Sequence, residues 1–480
     1  MDVGLPAGRG GEVSAAPLFA VVGHPNKGKS SIVSTLAQDD SVRIAPEPGT
    51  TARCRRYPMR VDGRVQYVLV DTPGFQRARR ALQWMRERET SADLHRAVVE
   101  DFVREHRDTG RFDDECELLA PILEGAGILY VVDGSRPFGP EYEAEMEILR
   151  WTGEPSMALI NLIGDGDQVE PWRAALHQYF KIVRVFDALT APFAKRLELL
   201  RAFGQLREDW WAPLEEAVAV LEEERGRMGR RAARAIARLV ADVLGHSASL
   251  RLSADADWQA ERGRLEQKYR DALRRIERDA RREVELLYGH HRVEREERAV
   301  ELVDTDLFST DHWYFWGLDR RQLVATGAAG GAVVGGALDV SVGGASLLLG
   351  SAIGATVGGV AAWLSRGRLE RTKVLSLPLG GRLLRCGPSR NANLPWVVLG
   401  RALHHHARIA GRSHADRGSL DLADVGDRPG WTERLAPSQR KAVERAFGRL
   451  RRGAADDAAI EALAELLTPL VETPDLAPGT

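Results

Sequence analysis

The sequence predicts an α/β domain with a mostly parallel sheet and helices on both faces, followed by a mainly α-helical C-terminal region. Residues 17–205 alternate short apolar runs with amphipathic segments, which is typical of strands joined by crossover helices. After Trp210 the composition shifts to Glu, Arg, Ala and Leu, which favours long helices. Residues 323–364 then form a glycine-rich apolar segment with a single charged residue, Asp339.

Length and charge narrow the classes of function. The 480 residues allow two or three domains, and a net charge of −2 gives no global attraction to nucleic acid or anionic lipid. Three cysteines lie far apart without metal-ligand spacing, which fits a reducing cytosol. Residues 1–16 are rich in Gly and Ala, so we expect a flexible arm and not a signal peptide.

A phosphate-binding loop is predicted at residues 23–30, which have the sequence GHPNKGKS between an apolar strand and an amphipathic helix. Gly23 and Gly28 allow the backbone to curl so that its N–H groups face phosphate oxygens. Lys29 would reach the β- and γ-phosphates, and the Ser30 hydroxyl would ligate Mg²⁺. The predicted nucleotide contacts of this segment are Gly23, Asn26, Lys27, Gly28, Lys29, Ser30 and Ser31.

A second motif follows the next predicted strand. Residues 65–70 are apolar and β-branched, and they end in Asp71-Thr72-Pro73-Gly74. A carboxylate at this edge of the sheet can hold Mg²⁺ through water, and the Gly74 N–H can meet a γ-phosphate. By itself the tetrapeptide would indicate only a turn. Together with the phosphate loop it predicts a nucleotide–Mg²⁺ site.

The two motifs resemble those of the TrmE–Era–EngA type of P-loop GTPases, and the resemblance covers roughly residues 17–205. Pro48-Gly49-Thr50-Thr51 is similar to the switch I segment of that group. The resemblance implies that Thr51, or alternatively Thr50, closes on Mg²⁺ when triphosphate is bound. It therefore assigns Lys29, Thr51 and Gly74 to catalysis, and Ser30, Thr51 and Asp71 to Mg²⁺.

Two further positions bear on how water would be activated. Phe75 stands where Ras-like proteins carry a glutamine, and members with a hydrophobic residue there position water by other means. Asn26 matches the asparagine that helps hold K⁺ in potassium-dependent members. The resemblance therefore implies K⁺ as a second ion beside the phosphates.

The base-contacting motif departs from the Asn-Lys-x-Asp of the family. Asn161 fits the first position, Leu162 replaces the lysine, and the carboxylate arrives one residue late at Asp165, with Asp167 as the alternative. Asp187-Ala188 lies roughly where the last base-contacting loop of the family is found. Specificity for guanine is therefore implied mainly by the resemblance.

The stretch from Gln76 to Glu117 is longer than one crossover helix needs. We expect an enlarged switch II region with an inserted helix. It is either a partner-binding element or a solvated surface insertion.

Residues 206–312 are predicted to form a helical stalk or hairpin. An apolar stripe at spacings of three and four would pack against residues 213–245. The stripe consists of Leu265, Tyr269, Ala272, Ile276, Ala280, Val284 and Leu287. Interleaved Arg and Glu residues indicate a solvated face more than nucleic-acid binding.

Residues 313–366 are predicted to form a Gly-rich apolar hairpin with Asp339 at its tip. Glycines recur at every fourth position, which lets two helices approach closely. Each half is long enough to enter a hydrocarbon core of about 30 Å, with aromatic residues at its ends. The alternative is a buried hairpin of a soluble domain.

Residues 367–480 are predicted to be mainly helical, with helices over 394–408 and 438–451. Consecutive histidines on a helix point in different directions, so His404, His405 and His406 are interpreted as surface residues and not as a metal site. The whole arrangement resembles bacterial GTPases that carry an uncharacterised C-terminal domain of unknown function.

The favoured hypothesis is a cytoplasmic GTPase switch that binds GTP and GDP and docks on the inner membrane through its C-terminal region. Membrane lipid, a homodimer and a protein effector are the expected partners, and nucleic acid is not. The alternatives are a soluble GTP-dependent assembly factor for RNA or ribosomes, and a nucleotide-binding scaffold with little turnover.

Overall fold

The computed structural model describes 16–39, 42, 53–164, 166–252, 257–290, 339–342, 345–346, 373–374, 377–378, 382–416, 435–452 and 456–472. The chain divides into two compact units. The first comprises Met1–Gly226, Gly289–Arg292 and Gly411–Gly418, and the second comprises Arg227–Tyr288, Val293–Ala410 and Ser419–Thr480. The boundary predicted at residue 205 therefore falls inside the first unit.

A six-stranded sheet forms the centre of the first unit. Its strands are β1 Leu18–Val22, β2 Arg55–Val61, β3 Arg64–Asp71, β4 Gly127–Asp133, β5 Ser156–Asn161 and β6 Ile182–Val185. The spatial order is β2-β3-β1-β4-β5-β6, with β2 antiparallel to β3 and the remaining pairs parallel. The carboxyl ends of β1, β3, β4 and β5 therefore lie at one edge of the sheet.

Helices cover both faces of this sheet, as the sequence predicts. They are α1 Lys29–Ala37, α2 Ala78–Arg86, α3 His95–His106, α4 Asp113–Leu123, α5 Pro140–Trp151, α6 Val169–Leu176, α7 Phe193–Gly204 and the long α8 Glu208–Gly245. Alternating residues of β1 enter two different cores: Ala20 packs with Phe75 and Trp172, whereas Phe19 packs with Leu197 and Trp210. The mostly parallel, doubly covered sheet is thus confirmed.

Three helices, α2, α3 and α4, connect β3 to β4, where one crossover helix would suffice. The enlarged region is therefore present, with more helix than the single insertion that the sequence indicates. Glu115 of α4 is buried, and its Oε1 accepts hydrogen bonds from the N–H groups of Gln76 (2.8 Å) and Arg77 (2.5 Å). This carboxylate holds the first turn of α2, at the predicted switch II.

The second unit is mainly helical and also contains strands that the sequence analysis does not predict. Its helices are α9 Trp258–Leu287, α10 Leu394–Gly411, α11 Pro437–Arg452 and α12 Asp457–Glu472, together with α8 from residue 227 onward. Its strands are β7 Ala248–Leu252, β8 Asp339–Val342, β9 Ala345–Ser346, β10 Lys373–Val374, β11 Leu377–Pro378 and β12 Arg382–Cys386. Four of them form a sheet in the order β7-β12-β8-β9, and β10 pairs with β11.

Helices α9 and α10 share a buried charge cluster. Arg401 donates from Nε to Oε1 of Glu277 (2.7 Å), and Arg281 donates from Nη2 to the same oxygen (2.6 Å). Burial raises the pKa of Glu277, but the two guanidinium groups outweigh it and lower the pKa to about 2. Glu277 is therefore ionised in the folded protein at neutral pH.

Two predictions for this unit are wrong. Asp339 is not the tip of a helical hairpin, because Asp339–Val342 pairs with β12 as a strand. His405 and His406 are not surface residues, because α10 is buried on most sides. The ring of His405 lies 3.3 Å from the Glu285 carboxylate, and the ring of His406 lies 2.8 Å from the Tyr288 hydroxyl.

Most of the glycine-rich segment 323–364 lies outside the described residues. Within the described ranges, no helix combines the length and the apolar character that a membrane crossing requires. Outside strands β8 and β9, which contradict a helical hairpin at residues 339–346, the glycine hairpin stays a prediction of the sequence.

Candidate functional site

The phosphate loop connects β1 to α1 and has the backbone that its glycines predict. Gly28 has φ +79° and Gly23 has φ +143°, values that side chains rarely tolerate. A methyl group on Gly28 would lie 2.2 Å from Nδ2 of Asn161. Asn26 is also left-handed, with φ 59°. The loop is therefore closely packed as well as tightly curled.

Lys29 lies under the loop at the first position of α1. Its ammonium group donates to the carbonyls of Gly23 (3.2 Å) and His24 (2.9 Å). Burial lowers the pKa of Lys29 to about 8, against the opposing effect of the Asp71 and Glu145 carboxylates. A phosphate anion at the loop would favour the charged form of this side chain.

Two of the three predicted Mg²⁺ ligands, Ser30 and Asp71, meet at the edge of the sheet. The Ser30 hydroxyl donates to Oδ2 of Asp71 at 2.8 Å, so the first turn of α1 and the end of β3 contribute adjacent oxygens. Hard oxygen donors of this kind suit Mg²⁺. Thr50 and Thr51 of the predicted switch I lie outside the described residues.

The Asp71-Gly74 segment is attached to the phosphate loop. The Thr72 hydroxyl donates to the Val21 carbonyl (2.8 Å), and the Phe75 N–H donates to the Gly23 carbonyl (3.3 Å). A side chain on Gly74 would lie 2.6 Å from the backbone nitrogen of Pro25. Phe75 itself is buried in the core below the sheet edge, so this position cannot orient water.

The predicted base-contacting loops are joined through Asn161. Its Nδ2 donates to the Lys27 carbonyl (3.2 Å), and its Oδ1 accepts from the Ala188 N–H (3.2 Å). Ile163 rather than Leu162 lies beside the phosphate loop, since a Cβ on Gly28 would be 3.5 Å from Cδ1 of Ile163. The alternative carboxylate, Asp167, is exposed, and Asp165 lies outside the described residues.

A polar network behind the loop escapes the sequence analysis. Nδ1 of His24 lies 2.8 Å from Oε1 of Glu145, and the Tyr130 hydroxyl donates to Oε2 of Glu145 (2.9 Å). Burial raises the pKa of the Glu145 carboxyl, although its hydrogen bond with His24 opposes this effect. The available signal was a Glu among the apolar positions of α5.

Lys27 is directed into the domain. Its ammonium group lies 3.5 Å from Oδ2 of Asp133 and 5.9 Å from the ring centre of Tyr142. The ammonium group is therefore engaged inside the domain, while the Lys27 carbonyl holds Asn161. Within the described residues, no group of three or more His, Cys, Asp or Glu side chains could hold a metal ion.

Comparison with known families identifies two segments. Residues 173–467 match the family described as a domain of unknown function (DUF3482), which is more than half of the chain. Residues 18–161 match the family described as 50S ribosome-binding GTPase. The GTPase-type match covers the phosphate loop, Asp71 and the strands that hold them.

Similar proteins include GTPase Der of Vibrio cholerae serotype O1, 24% identical over 220 residues, 43% of this chain and 39% of that protein. GTPase Der of Acidithiobacillus ferrooxidans is 30% identical over 163 residues, 32% of this chain and 36% of that protein. The chain thus spans about two fifths of the length of these relatives.

Two solved structures of Era also match. One is a point variant of Aquifex aeolicus Era bound to GDP·AlF4⁻, at 17% identity and a TM-score of 0.28, covering 57% of this chain and 90% of that one. The other is Era in complex with MgGDPNP and nucleotides 1506–1542 of 16S ribosomal RNA, at 18% identity and the same TM-score, covering 57% of this chain and 89% of that one.

Proposed function

Since the chain belongs to the family of the domain of unknown function DUF3482 and carries a TrmE–Era–EngA-type GTPase domain before it, we propose that it binds and hydrolyses GTP as a molecular switch. The observation that carries the proposal is the 2.8 Å contact between Ser30 and Asp71 beside the curled phosphate loop. This contact supports the proposal, because an adjacent hydroxyl and carboxylate are oxygen ligands of the kind that a phosphate-bound Mg²⁺ takes.

The residues of the proposed site would have different roles in phosphoryl transfer. Lys29 and the loop N–H groups would stabilise charge on the phosphates, and the Gly74 N–H would meet the γ-phosphate. Ser30 and Asp71 would hold Mg²⁺, which neutralises charge on the phosphate oxygens when bound. Thr51 would close on the same site in the triphosphate state, and release of this segment after hydrolysis would reset the switch.

Nucleotide selectivity tests the proposal. Asn161, with its bonds to Lys27 and Ala188, supports a preference for GTP over ATP. Competition titrations of the full chain should give tighter binding of GTP, and Lys29→Ala or Ser30→Ala should abolish tight triphosphate binding. Equal affinity for the two nucleotides would favour a nucleotide-binding scaffold or an ATPase. Unchanged affinity in both variants would remove the proposed site.

We further propose that K⁺ supports hydrolysis. Two features support this: Asn26 lies exposed on the loop, and Phe75 is buried where a catalytic glutamine would otherwise be expected. Phosphate release should be faster in KCl than in NaCl at equal ionic strength. Indistinguishable rates would indicate that the missing catalytic group comes from a partner.

Two further proposals concern where the protein acts in the cell, on ribosomes or on the membrane. An assembly factor for ribosomes is compatible with the family described as 50S ribosome-binding GTPase. Association with the cytoplasmic face of the inner membrane depends on the sequence pattern of 323–364 alone. Flotation of the intact protein with liposomes, beside sedimentation with ribosomes in GTP or GDP, distinguishes the two. A protein that neither floats with liposomes nor sediments with ribosomes would contradict both proposals.

A further inference from the structure

A short segment from the family region of unknown function belongs to the first unit. The described part of this segment, residues 411–416, begins at the last residue of α10, yet it belongs to the same compact unit as the nucleotide-binding domain. Ser413 and His414 are almost completely buried there, at 1% and 4% exposure. The segment is thus part of the core of this domain and not a surface strap.

The segment is bonded to the helix that begins with Lys29 and Ser30. The hydroxyl of Thr35, on α1, lies 2.7 Å from the hydroxyl of Ser413. The Ser34 hydroxyl, one residue earlier, donates to the His414 carbonyl at 3.0 Å. The His414 ring also stacks on His290, with 4.5 Å between ring centroids. Helix α1 is therefore fixed on this side by residues about 380 positions later in the chain.

The same segment holds the loop predicted to contact the base. The Ser413 hydroxyl donates to the Ala188 carbonyl at 2.6 Å, and Thr35 Oγ1 lies 2.8 Å from the same oxygen. Ser413 also accepts from the Ala415 N–H (3.1 Å). The hydroxyl groups of Thr35 and Ser413 therefore contact each other and the same Ala188 carbonyl. All these groups are buried, so removing one hydroxyl donor would cost free energy of folding.

Ala188 connects this cluster to the nucleotide site. Its carbonyl is held by Ser413 and Thr35, and its N–H is held by Asn161, which in turn donates to the Lys27 carbonyl of the phosphate loop. A change at Ser413 therefore acts on Ala188, the same residue whose N–H donates to Asn161.

We propose that Ser413 is a positioning residue for the base-contacting loop, so that a segment 225 residues after that loop contributes to the base selectivity of the GTPase domain. The inference depends on the proposed guanine-nucleotide function. Removing the Ser413 hydroxyl leaves the Ala188 carbonyl with the Thr35 hydroxyl as its donor, and the loop is held less firmly in the geometry in which Asn161 would meet a base.

The experiment compares Kd for GDP and ADP in the full chain. Ser413→Ala should lower the ratio of Kd for ADP to Kd for GDP about fivefold, the effect of one hydrogen bond, and should speed GDP release. Thr152→Ala is the control, because Thr152 is a buried hydroxyl that donates to the Leu149 carbonyl (2.7 Å) at the end of α5. It should lower the melting temperature without changing the ratio. A loss of folded protein changes both apparent Kd values by the same factor. A change in the ratio of Kd for ADP to Kd for GDP therefore reports the position of the base-contacting loop.

Ser413→Cys keeps a polar hydrogen at this position as a larger and weaker donor, and it decides the question if Ser413→Ala does not fold. An unchanged ratio in the folded Ser413 variants, with guanine selectivity intact in the wild type, overturns the positioning role alone. A wild-type protein without guanine selectivity overturns the proposed function and this inference with it.

Discussion

The buried Glu277 offers a quantitative test of how the second unit is held together. Its pKa of about 2, against an ordinary 4.5, arises because Arg281 and Arg401 outweigh the effect of burial. The difference is equivalent to about 3 kcal/mol of stability at neutral pH. Because the folded pKa is depressed, this stability is fully present above pH 4.5 and is lost as pH falls towards 2. Glu277→Gln removes it at neutral pH.

Thermal unfolding of the full chain measures this effect. At pH 7, Glu277→Gln should melt roughly 6–12 °C below the wild type. The difference in melting temperature between the two proteins should narrow to about half by pH 3, where the Glu277 carboxyl is already protonated in the unfolded chain. The control is Glu283→Gln, on an exposed face of the same helix, which should leave the melting temperature unchanged. A gap that is absent at pH 7, or that stays constant down to pH 3, would refute the reasoning.

Three further predictions concern the nucleotide site. Because Lys29 has a pKa of about 8, GDP affinity should be nearly constant up to about pH 7, fall about twofold by pH 8 and fall up to about tenfold by pH 9 in equilibrium titrations; a flat profile would contradict it. Gly28→Ala should weaken GDP binding at least about tenfold, whereas Gly63→Ala, with nearly the same φ but open space around it, should cost only stability. Phe75→Gln should lower stability by about 3 kcal/mol without raising the rate of phosphate release, and a faster rate would show that this position does face water.

The parts of the site that follow from local sequence are those that the sequence predicts. The curl at Gly23 and Gly28, the position of Asp71 and the alternation of strands and helices depend on neighbours within a few residues. Asn161 is assigned from its resemblance to the first position of the Asn-Lys-x-Asp motif, and in the structure its side chain bonds to the Lys27 carbonyl and the Ala188 N–H.

The missed features depend on contacts between distant parts of the chain. Thr35 and Ser413 are 378 residues apart, and no periodicity indicates that they meet. His405 and His406 looked exposed because helical spacing does not show which partners, here Glu285 and Tyr288, lie on the neighbouring helix. Strand β8 was missed because a glycine-rich apolar run fits a helix or a strand equally well.

The most direct test of the nucleotide–Mg²⁺ site is the GTP affinity of the intact protein with and without Mg²⁺, measured for the wild type and Ser30→Ala. The account predicts that Mg²⁺ tightens GTP binding by the wild type, and that most of this gain disappears in Ser30→Ala, since Ser30 and Asp71 supply adjacent oxygen ligands. GTP binding that is independent of Mg²⁺, or an equal gain in both proteins, would contradict it.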